Sequence, residues 1–583
     1  MLQHPLRALG ALVALTVLFV ARVAAQGGEL NVASEVQGSV RALRATQDPV
    51  TGAYGGGVAG TAWALRAFAE CPDRYRAGDG PWVRRAMDFL VSKQAADGSI
   101  ADAGATGEAR AEQTRLAAAA LTVLADATVQ EPLAKTLEHL GKSGLEGPGW
   151  DADGEPESAE KATALATQLL ARRGADKLFE GPRGKVIETA SAIVTLSGCE
   201  RVLAKSRKKP EPKPTNALPP FAPADRAAAL EAIRSGAKFL ASTGPDGKFG
   251  APGSPDAGIT AMCVAALLVA PEPRDPAVQA SIDGGLKWLL SLQKPDGSIH
   301  DGKLANYVTS ASIMALSRAG RSKHEEAIGK ARAFLQTLQM DEGEGYSEGD
   351  RYYGGIGYGS TERPDLSNLQ MALEALHDAG LAESDPTFQK AIRFLQRCQN
   401  RSESSDVEIV DGELTIVAGD DGGSGYAPGD SKAGFVELPD GRKIPRSYGS
   451  MTYALLKCMI FAGIAKDDPR VQAAFDWCQK NYTLDVNPGF VAGSDPTAAY
   501  QGLFYYFHTM ARALDTLGTD SLVDGAGKTR NWRAELCGRL VSMQSKIDKS
   551  WLNQNSPRWF EGNPLLATSY ALLALDSALP KAN

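Results

Sequence analysis

Trp288-Leu289-Leu290-Ser291-Leu292-Gln293-Lys294-Pro295-Asp296-Gly297-Ser298-Ile299 is the stretch whose reading decides the fold. An aromatic-Leu pair closes an amphipathic run, a Gln follows, and Asp-Gly-Ser-Ile comes next. The same frame stands at Phe89-Leu90, Gln94 and Asp97-Gly98-Ser99-Ile100. It recurs at Phe334-Leu335 with Gln339 and at Phe394-Leu395 with Gln399. Leu540, Gln544 and Asp548-Lys549-Ser550-Trp551 repeat it, and Phe239-Leu240 with Pro245-Asp246-Gly247-Lys248-Phe249 is a degenerate copy. Internal repetition on this scale signals a repeat architecture.

One physical logic serves every copy. The amphipathic helix packs its aromatic-Leu pair on a neighbour. The Gln is long enough to bond backbone groups left open at the helix end. Asp-Gly makes the turn, because Gly takes a conformation that other residues avoid. A second helix rich in Ala, Ser, Thr and Leu follows at once, and a short loop forces the pair antiparallel. In the C-terminal part the apolar second helices are expected near 257–268, 308–316, 365–376, 448–463, 501–517 and 565–578. The more charged first helices are expected near 227–243, 275–292, 322–339, 385–399, 467–482 and 527–544. Six such hairpins predict an all-α double ring, an α/α toroid whose apolar helices form the inner wall. Weaker copies near 59–70, 110–125, 157–171 and 187–198 predict a second, incomplete toroid-like domain ahead of it.

The expected domains are therefore a signal peptide at 1–25, a helical-hairpin domain at 26–204, a Pro- and Lys-rich linker at 205–225, and the toroid at 226–583. Within the toroid, 401–446 departs from the helical pattern. Glu408 to Ile416 reads as a β-hairpin around Asp411-Gly412 in an inserted loop.

The repeat frame resembles that of squalene and oxidosqualene cyclases and of protein prenyltransferase β subunits. The resemblance covers most of the chain after the signal. It implies a toroid whose inner-helix N-termini face a central cavity that holds an isoprenoid chain. The family's chemistries are a separate matter. Its cyclases carry Asp-x-Asp-Asp at an inner-helix start, and the nearest match here is Asp256-Ala257-Gly258-Ile259. Gly258 stands where the proton donor belongs, and a weakly basic alkene needs a strong acid there. The prenyltransferase zinc site needs Asp, Cys and His. Phe507-His508-Thr509 resembles the His segment, while Tyr448 and Ser450 stand in place of the other ligands. Cys537-Gly538-Arg539-Leu540 lacks the thioester motif of related toroids. No metal and no cofactor is expected.

A site would lie at the inner-helix N-termini. Arg363, Asp365 and Asn368 open one inner helix; Tyr448, Ser450 and Tyr453 open the next. Tyr505, Tyr506 and His508 line the following one, Trp559 and Glu561 precede the last, and Asn306 and Tyr307 precede the second. As a ligand wall, this is aromatic with a few polar groups. Asp365, His508, Tyr453 and Glu561 are the candidates for acid–base work. Asp256, Asn306, Tyr307, Arg363, Asn368, Tyr448, Tyr505, Tyr506 and Trp559 are the candidates for binding. Competing structural roles are evident: Asp365 after Pro364 and Asp256 are both placed as helix caps, and aromatics at helical spacing serve cores as readily as cavities.

The 583 residues carry a formal charge of −7, which disfavours nucleic acid and anionic lipid heads as partners. Seven scattered cysteines form neither a disulfide framework nor a CxxC site and read as small buried hydrophobes. Arg7, the apolar run Ala8 to Ala21 and Val23-Ala24-Ala25 predict export, with cleavage near Ala25. The primary functional expectation is an exported protein that binds or acts on an isoprenoid-like apolar small molecule, compatible with peripheral membrane contact. The alternatives are a non-catalytic scaffold for an extracytoplasmic peptide, glycan or protein partner, and a polysaccharide lyase or hydrolase with opposed carboxylates.

Overall fold

The computed structural model describes residues 32–72, 74–75, 81–124, 127–144, 155–206, 221–251, 253–359, 363–411, 414–491 and 495–580. The expected signal peptide and cleavage site lie outside the described residues, as does most of the expected linker. The chain divides into two compact units, 1–214 and 215–583.

The first unit contains α1 (Val32–Arg44), α2 (Gly57–Glu70), α3 (Pro81–Ser92), α4 (Gly107–Leu124), α5 (Gln130–Lys142), α6 (Ala159–Leu170) and α7 (Lys185–Ser206). Helices α7, α2 and α4 pack in that order as an arc of inner helices. The expectation that 157–171 is an inner helix is corrected. Helix α6 buries one face, through Ala162, Ala166 and Leu170. It is followed by a turn bridged between Arg173 and Phe179, so it is the outer member of the hairpin that ends in α7.

In the second unit the outer helices are α8 (Pro223–Thr243), α10 (Pro276–Ser291), α12 (Glu325–Gln336), α14 (Pro386–Cys398), α16 (Pro469–Lys480) and α18 (Trp532–Met543). The inner helices are α9 (Ala257–Leu267), α11 (Ala305–Gly320), α13 (Leu366–Asp378), α15 (Gly449–Phe461), α17 (Leu503–Leu517) and α19 (Pro564–Ala578). Each inner helix packs on the next, and α19 packs back on α9, so the ring closes. One continuous core runs between the two layers. The inner helices are buried on nearly every side, as their Ala-, Ser- and Leu-rich composition requires. Three outer helices begin Asp-Pro: Asp275, Asp385 and Asp468 each accept a backbone N–H from the first turn, and the following Pro needs no partner there.

The repeat Gln does more than finish its own helix. Gln293 donates to Gly297 O in its own turn (3.1 Å) and to Ala327 O of the next outer helix (2.9 Å). Gln339 does the same to Gly354 and Thr387, and Gln399 to Gly422 and Arg470. Gln544 bonds Lys549 O and then Ala232 O of α8, which joins the last hairpin to the first. A second device was not anticipated. Thr260, Thr309, Thr452 and Thr568, one turn into their inner helices, each accept a backbone N–H from the preceding turn at 2.9–3.0 Å.

Short strands decorate the ring. Gly250–Ala251 (β1) and Ser254–Pro255 (β2) form a ribbon before α9. The insertion folds into a four-stranded sheet of order β3-β4-β6-β5, from Glu408–Asp411 (β3), Leu414–Val417 (β4), Phe435–Glu437 (β5) and Lys443–Pro445 (β6). The expected hairpin pairs Glu408 with Val417 and Asp411 with Leu414. Its tip, 412–413, lies outside the described residues. All seven cysteines are buried. Among the described residues no helix is long and apolar enough to cross a membrane.

Candidate functional site

Hydrophobic residues at the inner-helix N-termini mark a recess. Ile259 of α9, Tyr307 of α11, Tyr505 of α17, and Leu566 and Tyr570 of α19 all pack on the core yet keep accessible surface, unlike their neighbours on the same helices. Burial pushes the Tyr307, Tyr505 and Tyr570 hydroxyls up from the ordinary phenol value. Deep position together with residual accessibility is what the wall of a concavity shows. Tyr505 meets Tyr570 edge-on at 5.7 Å, and Tyr307 stacks on Tyr358 at 5.8 Å.

Hydrogen bonds cross the ring beside this recess. Helices α13 and α17 are separated by α15, yet Ser367 Oγ lies 3.1 Å from the Tyr505 hydroxyl, and Gln370 Nε2 donates to the same oxygen at 3.0 Å. Ser367 also bonds the Tyr307 hydroxyl. Below, Lys457 Nζ donates to Gln370 Oε1 at 2.5 Å and to Glu374, and Arg512 Nε donates to Glu374 Oε1 at 2.8 Å. The Lys457 and Glu374 side chains are each 1% exposed, so this layer forms a sealed floor. Burial pushes the Glu374 carboxyl up, but Lys457 and Arg512 more than reverse this and hold it well below the usual carboxylate range. Burial pushes His508 down to about 3, so its ring is neutral; it stacks on Tyr570 at 5.7 Å, and its buried Nδ1 has no hydrogen-bond partner among the described residues.

Of the expected site residues, Tyr307 and Tyr505 line the recess and His508 lies at its floor. The others are placed differently. Asp365 is the N-cap of α13, accepting from Asn368 N (2.8 Å) and Asn368 Nδ2 (2.9 Å), and burial raises its carboxyl. Glu561 accepts from Tyr505 N (2.8 Å) and Asn553 Nδ2 (2.7 Å). It thus caps α17 from another segment, with burial pushing it up to about 7 against those bonds. The expected acid–base pair is therefore two buried caps, neither presented to an open groove. Tyr453 turns away from the axis toward Cys478 of the outer layer, and the Tyr506 hydroxyl donates to Thr483 O at 2.9 Å. Asn306 Nδ2 donates to Gly357 O and Asn368 O, a structural tie between hairpins. Asp256 caps α9 through Ile259 N at 2.8 Å. Arg363 pairs with Asp430 at 2.5 Å on the insertion. Tyr448 packs on Phe490 at 5.0 Å, and Trp559, 37% exposed, sits on the rim against Gly502.

Ser367, Gln370, Glu374, Lys457, Arg512 and Tyr570 were missed from the sequence. A signal existed for three of them: Glu374, Lys457 and Arg512 are charges in the interior of inner helices. Among the described residues no cluster of His, Cys, Asp and Glu has the arrangement of a metal site.

A closed double ring of helical hairpins with a recess at the inner-helix N-termini defines an α/α toroid. Residues 249–412 match the model of the squalene-hopene cyclase C-terminal domain. The closed ring makes the C-terminal unit an α/α toroid, and over residues 249–412 it is similar to the squalene-hopene cyclase C-terminal domain. Similar solved structures include the type II terpene cyclase MstE from Scytonema, 16% identical over 60% of this chain and 98% of that chain, TM-score 0.37. A family 76 glycoside hydrolase from a bovine Bacteroides thetaiotaomicron strain is 12% identical over 60% of this chain and 77% of that one, TM-score 0.37. The ent-copalyl diphosphate synthase from Streptomyces platensis is 17% identical over 62% and 92%, TM-score 0.18. No curated protein matches the chain.

Proposed function

We propose that the toroid binds an apolar, isoprenoid-like small molecule in the recess between α9, α11, α17 and α19, and does not cyclise it. The observation that carries this reading is the accessible apolar wall of Ile259, Leu566, Tyr307, Tyr505 and Tyr570 over a sealed polar floor. The acid a cyclisation would need is absent from its place: Gly258 stands there, and Asp256 is bonded to its own helix. Asp365 and Glu561 are committed to helix N-termini, which removes the opposed carboxylates that a glycan-cleaving enzyme would use. Export through the Arg7–Ala25 signal is part of the same proposal, and a native N-terminus near Gln26 would support it.

The test is an organic extraction of the mature protein, with mass spectrometry of what co-purifies. A stoichiometric isoprenoid-like molecule is expected, and Ile259→Trp, which fills the recess, should abolish it. A blank from the native protein together with no binding of added isoprenoids overturns the reading. The scaffold alternative rests on the insertion, which exposes Val410, Phe435 and Val436 on its sheet. Retention of every partner by a Phe435→Ser/Val436→Ser variant would count against it.

A further inference from the structure

The chain of hydrogen bonds at the recess has a direction, and that direction specifies the ligand's head. Lys457 Nζ has only protons to give, so it fixes Gln370 Oε1 as an acceptor. The amide nitrogen of Gln370 must then donate, and it does so to the Tyr505 oxygen. Three hydroxyls then share two bonds in which either atom can donate; the arrangement that continues the polarity set by Lys457 has Tyr505 donating to Ser367 Oγ and Ser367 to the Tyr307 oxygen. One proton is left over at the end of the line, on the Tyr307 hydroxyl. Tyr307 has no other hydrogen-bond partner among the described residues, and it lines the recess. A buried donor without an acceptor costs about 1–3 kcal/mol, and a line of bonds polarised from an ammonium group strengthens the terminal donor.

The charge of the inner wall narrows the choice. The inner helices carry only three Lys and Arg side chains, Arg318, Lys457 and Arg512. All are already neutralised, by Asp576, by Glu374, and by Glu374 with Asp378. An anionic head would find no uncommitted cation on this wall, and a buried unpaired anion is strongly disfavoured. A pure hydrocarbon would leave the Tyr307 proton unsatisfied.

Resting on the binding function proposed above, we infer that the ligand carries a neutral oxygen acceptor, such as an ether, carbonyl or alcohol oxygen, which takes the Tyr307 hydroxyl proton while its apolar body lies along Ile259 and Leu566. Tyr307 is the specificity-determining residue. Ser367, Tyr505, Gln370 and Lys457 are positioning residues that act through it.

Equilibrium dialysis of the full chain with three chain-matched probes tests this: farnesyl methyl ether, farnesene and farnesyl diphosphate. The ether should bind at least about tenfold tighter than either of the others, as one well-made buried hydrogen bond allows. Tyr307→Phe should bring the ether down to the farnesene level, so that the ratio of the two affinities falls to about one. Ser367→Ala, which removes the link that orients the proton, should give a smaller loss in the same direction. Equal binding of ether and farnesene, or tightest binding of the diphosphate, overturns the inference and leaves the apolar-binding function standing. Failure of all three probes to bind overturns both.

Discussion

The sharpest energetic statements at the residue scale concern buried charge. Lys457 holds Glu374 in a layer closed to water, with Arg512 on its other side. Removing one partner strands the rest, so Lys457→Met is expected to destabilise the toroid by about 3–5 kcal/mol, whereas Lys457→Met/Glu374→Leu should recover part of the loss. Urea unfolding of the three proteins decides it; equal stabilities would mean that the pair is not sealed. Glu561 gives a pH dependence of defined sign. Its folded value is raised from 4.5 to about 7 by burial, so its contribution is present below the unfolded value and is lost as pH rises through about 7. Wild-type stability should fall by on the order of 3 kcal/mol between pH 5 and 8 from this group, and Glu561→Gln should flatten that slope. Thermal melts across the range measure both. The residues of the recess were partly legible from sequence. Tyr307, Tyr505 and His508 stand at the inner-helix N-termini, where the repeat pattern points. Tyr453 and Tyr506 occupy equivalent-looking positions but face the outer layer, because a near-apolar helix such as α15 carries no polar face to say which side turns to the axis.

At the scale of the element, the hairpin turn is the unit that sequence describes best. Its Gly is required by more than its dihedral angle. Gly297 has φ +91°, and a Cβ there would stand 2.2 Å from Lys330 O of the next outer helix. Gly297→Ala is therefore expected to cost more than the roughly 1–2 kcal/mol of left-handed strain alone, because backbone cannot yield as a side chain does. Chemical denaturation would show it, and a change within about 0.5 kcal/mol would refute the close approach. The Gln is the second fixed part of the hairpin. Gln339 bonds Gly354 O and Thr387 O from a fully enclosed position, so Gln339→Leu should cost on the order of 2 kcal/mol by stranding two carbonyl groups. The reading of 157–171 as inner failed for a specific reason. Its turn uses Arg173 where other copies have Gln, so the frame was not recognised, although Arg173 reaches Glu35 O at 2.8 Å and bridges outer helices in the same way.

For the whole molecule, closure is the decisive property. Helix α19 returns to α9, and Gln544 ties the last turn to the first outer helix, so no hairpin of the second unit is left with an open face in the ring. A chain of residues 215–583 is accordingly expected to fold alone with one cooperative transition, since stacked repeats that bury each other's faces unfold together. Far-ultraviolet circular dichroism and a single calorimetric peak would confirm it; a chain without cooperative melting would show that the ring needs the first unit. The sequence by itself determined the hairpin, its turn, the number of inner helices in the second unit and hence the toroid, because each of these is written in local spacing that repeats. It also showed, position by position, other residues where the cyclases and prenyltransferases it resembles carry their signature acid and zinc ligands. Only the tertiary structure decided which side chains reach the axis. The Tyr307–Ser367–Tyr505–Gln370–Lys457 line joins four inner helices that are far apart in sequence, and Asp365 and Glu561 turned out to be helix caps. Such meetings depend on the rotation of each helix about its own axis, which small-residue helices buried on every side leave unrecorded in their sequence.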